Sequence, residues 1–220
     1  MTRLLVLRPQ PDADATVAKA HKLELDAVAV PLFEIQPVEW EMPETGSFDG
    51  LLLTSANAVR MGGDGLQALR GLKTYAVGEA TAAAAREAGF DIAGTGDAGV
   101  DRLLGSIEPD LRLLHLCGKD RREPVHARQR ITAIAVYRAE PLGPNLGAAR
   151  GSVALIHSPR AGQRFAELVR DRRAIAVAAI SKAAADALGD GWRTVATADQ
   201  PTDDALLALA ARLCDKPDPK

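Results

Sequence analysis

The sequence predicts an α/β protein with two doubly wound parallel-sheet domains joined by a two-stranded linker, the first domain being discontinuous in sequence. Short β-branched or Leu-rich runs alternate with Ala-rich stretches, which is typical of parallel sheets with crossover helices. Hydrophobic runs end at Ser55 and Gly78, and again at Ser158 and Ser181. The members of each pair are 23 residues apart and the two pairs are offset by 103 residues. Such a repeat indicates two similar units.

The first elements predicted are a strand over 3–9, a helix capped by Asp12 and running to about Glu24, and a strand over 27–33. The middle of the chain predicts strands that alternate with helices, at 49–55 (strand), 56 onward (helix), 73–78 (strand), 79–90 (helix), 100–107 (helix), 112–118 (strand) and 131–144 (β-rich). The glycine-rich segment Met61–Gly65 is interpreted as a loop. The last part predicts strands at 152–158, 174–181 and 194–198, each followed by a helix, with the closing helix from about Thr202.

The N-terminal strand–helix–strand is too small to fold alone, so we expect it to complete the C-terminal unit. The first domain would then comprise 1–36 and 148–220, and the second 37–147, with linker segments near 32–40 and 134–147. The rival arrangement is one continuous doubly wound sheet. Prolines in both crossings favour two domains.

Composition excludes several classes of protein. Apolar residues make up 47% and charged residues 25%, as in an ordinary globular protein. No apolar run is long enough for a membrane span, and the N-terminal run is too short for a signal-peptide core. Two cysteines cannot form a disulfide framework, and a net charge of −2 does not favour nucleic acid. We expect a cytoplasmic monomer without nucleic-acid or membrane partners.

The turns after the strands are the first candidate binding residues: Thr54, Ser55, Gly78, Ser158 and Ser181. Helix N-termini at the carboxyl ends of parallel strands leave unpaired N–H groups and a partial positive charge, which suits carboxylates or phosphates. The competing interpretation is that each hydroxyl simply caps its helix, and for any single turn it is the favoured one. The repeated spacing favours a shared anion-binding cleft.

Cations also cluster where strands end, at Arg8, Arg60, Lys119, Arg121, Arg122, Arg138, Arg160 and Lys182. They predict a locally basic cleft for a polyanion, the alternative being solvated surface charges. The densest group is GKDRRE, which begins at Gly118. No metal-binding or nucleophile motif is present, and the four histidines, His21, His115, His126 and His157, are interpreted as structural. Tyr137 either places a phenol at the cleft or is a half-buried strand tyrosine.

Six motifs, TSANAV, VGEATA, CGKDRRE, VYRAEP, HSPRAG and AISKAAADAL, resemble in this order the uroporphyrinogen-III synthase family. The resemblance implies a lyase without metal or organic cofactor that cyclises hydroxymethylbilane, a linear tetrapyrrole with eight carboxylates. It inverts the last ring, ring D, and releases water. The implied mechanism begins with departure of the first ring's hydroxyl to give an azafulvenium cation, followed by a spiro intermediate. Tyr137 matches the family tyrosine that would assist this departure, and the five turn residues match turns that hold carboxylates.

The sequence departs from the family pattern at two places. Between Glu123 and Tyr137 it is short by about two helical turns, so the helix after GKDRRE is expected to be reduced or absent. Ser181 and Ala184 stand where many relatives have Gly and Thr. Two other functions therefore remain open: a non-catalytic, hinge-closing binding module for an anionic small molecule, and a degenerate family member that acts within a complex.

Overall fold

The structure is a computed structural model, and it describes residues 2–96, 99–121 and 123–214. The chain separates into two compact units, unit 1 (Met1–Glu34 with Pro141–Lys220) and unit 2 (Ile35–Glu140). The predicted division after residues 36 and 147 lies two and seven residues further along the chain. In the part of the chain that is described, every helix is too short or too polar to cross a membrane.

Unit 1 is built on a five-stranded parallel sheet with the strand order β11-β10-β9-β1-β2. Its strands are β1 (Leu4–Val6), β2 (Ala27–Ala29), β9 (Val153–Ile156), β10 (Ala176–Ala179) and β11 (Thr194–Thr197). Its helices are α1 (Asp12–Lys22), α5 (Pro159–Leu168), α6 (Lys182–Asp186) and α7 (Asp203–Cys214), with short 3-10 turns at Gly147–Ala149 and Arg172–Ala174. The central strands β1, β9 and β10 are buried along their whole length, which explains their continuous apolar sequence.

Unit 2 is built on a six-stranded sheet with the order β3-β8-β7-β4-β5-β6. Its strands are β3 (Phe33–Pro37), β4 (Gly50–Leu53), β5 (Lys73–Val77), β6 (Ile92–Gly96), β7 (Arg112–Gly118) and β8 (Arg130–Pro141). Its helices are α2 (Ala56–Met61), α3 (Glu79–Glu87) and α4 (Val100–Gly105), with 3-10 turns at Thr45–Ser47 and Asp64–Leu69. Leucines on alternate positions of β4 and β7 enter two separate apolar clusters, one on each face of the sheet.

The predicted fold class is confirmed. The two strands that cross the boundary between the units, β3 and β8, are neighbours in the sheet of unit 2. The backbone N–H of Val38, just past β3, continues this pairing by donating to the carbonyl of Val136 on β8 at 3.0 Å. The linker is therefore two-stranded because its strands satisfy each other's backbone groups.

Several predicted elements need correction. The strand predicted over 3–9 is limited to β1, and the one over 27–33 divides into β2 and β3, which belong to different sheets. Asp12 does not cap α1, because Pro11 occupies the cap position and Asp12 is the first helical residue. The segment interpreted as a loop at Met61–Gly65 runs into a 3-10 helix at Asp64. Strand β6, at the edge of the sheet, was not predicted.

The connection between β7 and β8 has no helix in its described residues, 119–121 and 123–129. The other five parallel pairs that follow one another in the chain, β1/β2, β4/β5, β5/β6, β9/β10 and β10/β11, each have an α-helix between their strands. The expectation of a reduced or absent helix after GKDRRE is thus confirmed for the described residues. The face of the sheet over β7 and β8 lacks the cover that a crossover helix supplies.

Candidate functional site

The carboxyl ends of β4, β5 and β7 bring several predicted residues of unit 2 to one edge of its sheet. The three strands are parallel neighbours, so the residues that follow them lie at the same edge. Thr54 and Ser55 follow β4, Gly78 follows β5, and Lys119 follows β7. The sequence placed these residues at strand ends, and within unit 2 the structure does the same.

Both hydroxyls of the Thr54–Ser55 turn have partners inside unit 2. Ser55 is the N-cap of α2, and its Oγ accepts a hydrogen bond from the N–H of Asn57 at 3.2 Å. Thr54 Oγ1 lies 3.0 Å from Nε2 of His115 on β7. The turn is therefore held by its own side chains, as the capping interpretation predicts for Ser55.

Gly78 begins α3 with a backbone conformation that favours glycine. Its φ is +82°, in the region that side chains with a Cβ rarely adopt. Nothing lies within 4 Å of the place where a Cβ would project. The glycine is thus required by the turn and not by crowding.

Tyr137 lies on β8 against the end of β7. A Cβ on Gly118 would come within 2.8 Å of the Tyr137 ring, so glycine at that position makes room for the aromatic side chain. Burial raises the pKa of Tyr137, a hydrogen bond with Ser55 partly offsets the rise, and neighbouring Cys117 adds to it. The phenol consequently stays protonated at neutral pH and can donate a proton.

The cations of unit 2 have separate surroundings. Arg121 donates to the exposed Glu123 carboxylate at 3.1 Å. The backbone N–H of Lys119 donates to the carbonyl of Tyr137, and its side chain is exposed. Arg138 pairs with Glu140 at 2.6 Å and also donates to Gln36 on β3. Arg60 donates to Asn57 at 3.3 Å on the surface of α2, and Arg122 lies outside the described residues.

His115 is a residue whose importance the sequence did not indicate. It is buried in β7, and burial, together with the charge of Arg121, lowers its pKa to about 4. The ring is therefore neutral at pH 7. The one available signal was a polar residue between leucines in an otherwise apolar strand.

In unit 1, Ser158 and Ser181 also act as helix caps. Ser158 accepts from the N–H of Ala161 at 3.1 Å at the start of α5, and Ser181 from the N–H of Ala184 at 3.3 Å at the start of α6. Lys182, which follows Ser181, pairs with Asp186 one turn later, and its side chain is 84% exposed. Such exposed pairs contribute little to stability, so the Lys182 ammonium stays accessible to solvent.

Arg8 and Arg160, the other predicted cations of unit 1, contact groups of their own unit. Arg8 donates to Asp12 at 3.2 Å and lies 3.6 Å from the carboxylate of Asp203. The guanidinium of Arg160 lies 4.6 Å from the centre of the Phe33 ring, a cation–π distance.

A buried charged cluster connects the strand ends of unit 1 to α7. His157, which follows β9, places Nε2 3.0 Å from Asp203 Oδ1, and the Thr16 hydroxyl lies 3.0 Å from Oδ2. Burial raises the pKa of Asp203, but the contacts with His157, Thr16 and Arg8 outweigh it and leave the net pKa lowered. The sequence identified Asp203 only as a helix-start carboxylate, since its partners are distant along the chain.

Two further features bear on the ligand. The described residues contain no group of three His, Cys, Asp or Glu side chains placed to hold a metal ion. A cavity of about 1000 Å³ in unit 2 lies between residues 37–42 and 61–65. Its lining includes Glu39, Glu41 and Asp64 but no lysine or arginine, so it is not suited to a polyanion.

Comparisons with known proteins point to one family. A family model for uroporphyrinogen-III synthase (HemD) matches residues 14–208. The crystal structure of a uroporphyrinogen-III synthetase from Helicobacter pylori is similar to this chain with a TM-score of 0.64 and 19% identity, over 96% of this chain and 99% of that one. A mutant uroporphyrinogen III synthase from Thermus thermophilus gives a TM-score of 0.54 and 19% identity, over 98% and 100%. The comparison with curated proteins found no match.

Proposed function

The chain belongs to the uroporphyrinogen-III synthase family, lyases that cyclise hydroxymethylbilane in heme biosynthesis, and we propose that its polar strand ends hold the carboxylates of that substrate. The observation that carries the function is the family match over residues 14–208. The reaction closes the linear tetrapyrrole with inversion of ring D, and it gives uroporphyrinogen III and water.

The helix starts supply the main contacts in this proposal. The hydroxyls of Ser55, Ser158 and Ser181 already accept hydrogen bonds from their own helices, so they have limited capacity for a ligand. The backbone amides at the start of α3 are the better donors, because helix N-termini carry unpaired N–H groups and a partial positive charge. The start of α5 offers fewer of them, since Pro159 has no N–H and the Ala161 N–H donates to Ser158. Gly78 leaves the α3 start uncovered by any side chain of its own.

The accessible cations strengthen this anion binding. The set proposed to contact substrate is Arg8, Gly118, Lys119, Arg121, Arg138, Arg160 and Lys182, together with Thr54 and the helix-start residues above. Lys119 and Lys182 are exposed, so they can meet carboxylates without leaving buried partners. Arg8 is more constrained, because it also balances Asp203.

Tyr137 is proposed as the acid that assists departure of the substrate hydroxyl. Its raised pKa keeps the phenol protonated, and the Ser55 hydroxyl is one of the polar groups that act on that pKa. Donation of that proton lets the hydroxyl leave as water and leaves the azafulvenium cation. Since only water is lost overall, the phenolate regains a proton from the substrate before the next turnover.

Positioning accounts for most of the rate in this proposal. The substrate must fold so that the substituted carbon of the last ring reaches the cation, and fixed carboxylate contacts at several points can hold that geometry. We further propose a cytoplasmic monomer that needs no cofactor and binds neither nucleic acid nor a membrane. Light scattering of the purified protein tests the monomer directly.

Isomer analysis tests the function itself. Purified protein is added to freshly made hydroxymethylbilane, and the oxidised porphyrins are separated by chromatography. We expect the type III isomer with the protein and the spontaneously formed type I isomer without it. Type I alone in both reactions would contradict catalysis and favour the non-catalytic binding module.

A further inference from the structure

A second cavity of unit 2, of about 220 Å³, lies beside the β7–β8 connection. Its lining includes His115 on β7, Arg121 and Glu123 in the connection, and Ile131 and Ala133 on β8. In the sheet register, His115 is paired with Ala133 and Leu113 with Ile131. The cavity therefore lies over one face of β7 and β8, next to the connection that leaves the carboxyl end of β7.

The cavity exists because the β7–β8 connection has no helix in its described residues. In the other consecutive parallel pairs a helix packs over the sheet and fills this volume. Here the connection passes beside the strands and leaves apolar side chains and one imidazole facing an open space. Because Arg121, Glu123 and Ala127 in its lining are exposed, the space is open to solvent and accessible to a ligand.

The polar groups of the cavity include two donors for an anion. Arg121 brings a guanidinium that pairs with Glu123, which also lines the cavity, but the Glu123 side chain is 78% exposed. Such exposed pairs are weak, so the guanidinium can exchange this partner for a ligand. Nε2 of His115 contacts the Thr54 hydroxyl, and Nδ1 of the same ring has no hydrogen-bond partner among the described residues. The Gln129 amide also lines the cavity, but its N–H groups are used by the carbonyls of Leu104 and Glu108.

The tautomer of His115 follows from these contacts. A threonine hydroxyl can donate or accept, so Thr54 can give its proton to Nε2 and leave the ring proton on Nδ1. The ring is neutral because burial opposes its charged form. The cavity then presents one N–H donor from His115 and one guanidinium from Arg121, with Ile131 and Ala133 as apolar walls.

We propose that this cavity is a subsite for one short aliphatic carboxylate arm, with His115 Nδ1–H and Arg121 as its donors and Ile131 and Ala133 against its methylene groups. The arm belongs either to a free monocarboxylate or to the tetrapyrrole substrate. The second source rests on the proposed function. A carboxylate has two oxygens, which matches one imidazole donor and one guanidinium.

Binding of the arm itself is tested with sodium propionate as the probe. The chain has four histidines, so the imidazole signals of the ¹⁵N-labelled full chain can be assigned by single substitutions. We expect the His115 ring signals to shift saturably with propionate and not with neutral propionamide. Arg121→Gln should remove the saturable shift.

Arg86→Gln is the matched control, because Arg86 also forms an exposed pair with a glutamate, Glu79, but lies on α3 outside the cavity. This variant should retain the propionate shift. Unchanged His115 signals in the parent protein, or equal shifts with propionamide, would overturn the subsite. Folding of each variant is verified from its dispersed amide spectrum, so loss of binding is separated from loss of structure.

The substrate arm of the experiment measures kcat and KM with hydroxymethylbilane. Loss of one charge-assisted contact in Arg121→Gln should raise KM about tenfold and change kcat much less. A propionate shift with no KM change would limit the subsite to free monocarboxylates and overturn its role in the reaction. If the parent protein forms no type III isomer but His115 still titrates with propionate, the proposed function fails and the subsite stands.

Discussion

The strand ends of the two units contain the same residue types in opposite electrostatic arrangements. In unit 1, the imidazole of His157 meets the Asp203 carboxylate at 3.0 Å, with Arg8 3.6 Å from the same group. In unit 2, the imidazole of His115 meets the Thr54 hydroxyl at 3.0 Å and lies close to the Arg121 charge. The carboxylate that neutralises the positive charge of unit 1, that of Asp203, is 16% exposed, whereas the carboxylate that pairs with Arg121 in unit 2, that of Glu123, is 78% exposed.

This difference separates stability from ligand binding. A buried cation with its own carboxylate connects elements of the fold, and removing either partner leaves an uncompensated charge. A cation next to a neutral imidazole contributes little to holding elements of the fold together, but it can bind the anionic group of a ligand. We therefore expect substitutions in the His157–Asp203 cluster to change mainly stability, and those around Tyr137 to change mainly turnover.

The largest expected effect is on stability, from Asp203→Ala. Asp203 is only 16% exposed and contacts His157, Thr16 and Arg8, so its loss leaves buried polar groups without partners. The free energy of unfolding should fall by about 3 kcal/mol. Urea denaturation followed by circular dichroism measures the change.

Asp204→Ala is the control for this substitution. The neighbouring carboxylate is 82% exposed and pairs with the exposed Lys19, so its removal should cost less than about 0.5 kcal/mol. Equal losses for the two variants would show that the unit 1 cluster does not stabilise the fold, and the comparison between the units would break.

The second effect is a pH dependence of stability, which we expect from the buried His115 of unit 2. The unfolded-state pKa of His115 is near 6.5 and its folded-state pKa is about 4. Between these two pH values the imidazole is protonated in the unfolded chain and neutral in the folded chain. Stability is therefore full above pH 6.5 and is lost as pH falls toward 4, by about 3 kcal/mol. Burial also lowers the pKa of His157, which adds a loss of the same sign.

His115→Gln isolates the contribution of His115. Urea midpoints measured from pH 7.5 to 4.5 should vary less steeply in this variant than in the parent. His126→Gln serves as the control, because His126 is exposed and should leave the slope unchanged. Parallel slopes for His115→Gln and the parent would mean that His115 is not held neutral by the fold.

The third effect is on turnover, from Tyr137→Phe. Loss of a proton donor in the transition state should lower kcat about 100-fold, while the free energy of unfolding falls by only about 1 kcal/mol from the lost hydrogen bond. Tyr75→Phe is the matched control, since the chain has two tyrosines and Tyr75 lies in the apolar core of unit 2. Unchanged kcat in Tyr137→Phe would remove this phenol from the mechanism.

The parts of this structure that the sequence predicted are those set by local periodicity. The central strands were predicted because parallel sheets bury both faces and demand continuous apolar runs, and the helix starts because Ser55, Ser158 and Ser181 are capping residues. Strand β6 was not predicted because it contains two glycines. Gly94 pairs with Tyr75 on β5, and a Cβ there would lie 3.2 Å from the Tyr75 ring. That glycine makes room for a neighbour, which local propensity does not reveal.

The polar clusters could not be predicted for a different reason. Asp203 and Thr16 are 187 residues apart in sequence, and Thr54 and His115 are 61 apart. Only the strand order, with β1 beside β9 and β4 beside β7, brings such residues together. The sequence placed the turn residues at strand ends correctly, but two of the predicted cations lie elsewhere, Arg60 on α2 and Arg138 within β8. It also could not show which cations the fold neutralises.

The smallest expected effect comes from removing equivalent helix-capping serines, Ser55 in unit 2 and Ser158 in unit 1. Ser55→Ala and Ser158→Ala each remove an N-cap hydrogen bond, at 3.2 and 3.1 Å, and each should cost about 1 kcal/mol of stability. The Ser55 hydroxyl also interacts with the Tyr137 phenol and lowers its pKa. Ser55→Ala should therefore lower kcat about fivefold further through the misplaced phenol, an effect within the range of one lost hydrogen bond.

A double-mutant cycle shows whether that loss of turnover passes through Tyr137. In the Y137F background, Ser55→Ala has no phenol left to misplace, so its effect on kcat should largely disappear. Ser158 caps a helix of unit 1, so its effect on kcat should be the same in both backgrounds. Equal kcat losses for Ser55→Ala with and without the phenol would contradict this coupling. Ser55 would then contribute to unit 2 as Ser158 does to unit 1, by stabilising the start of a helix.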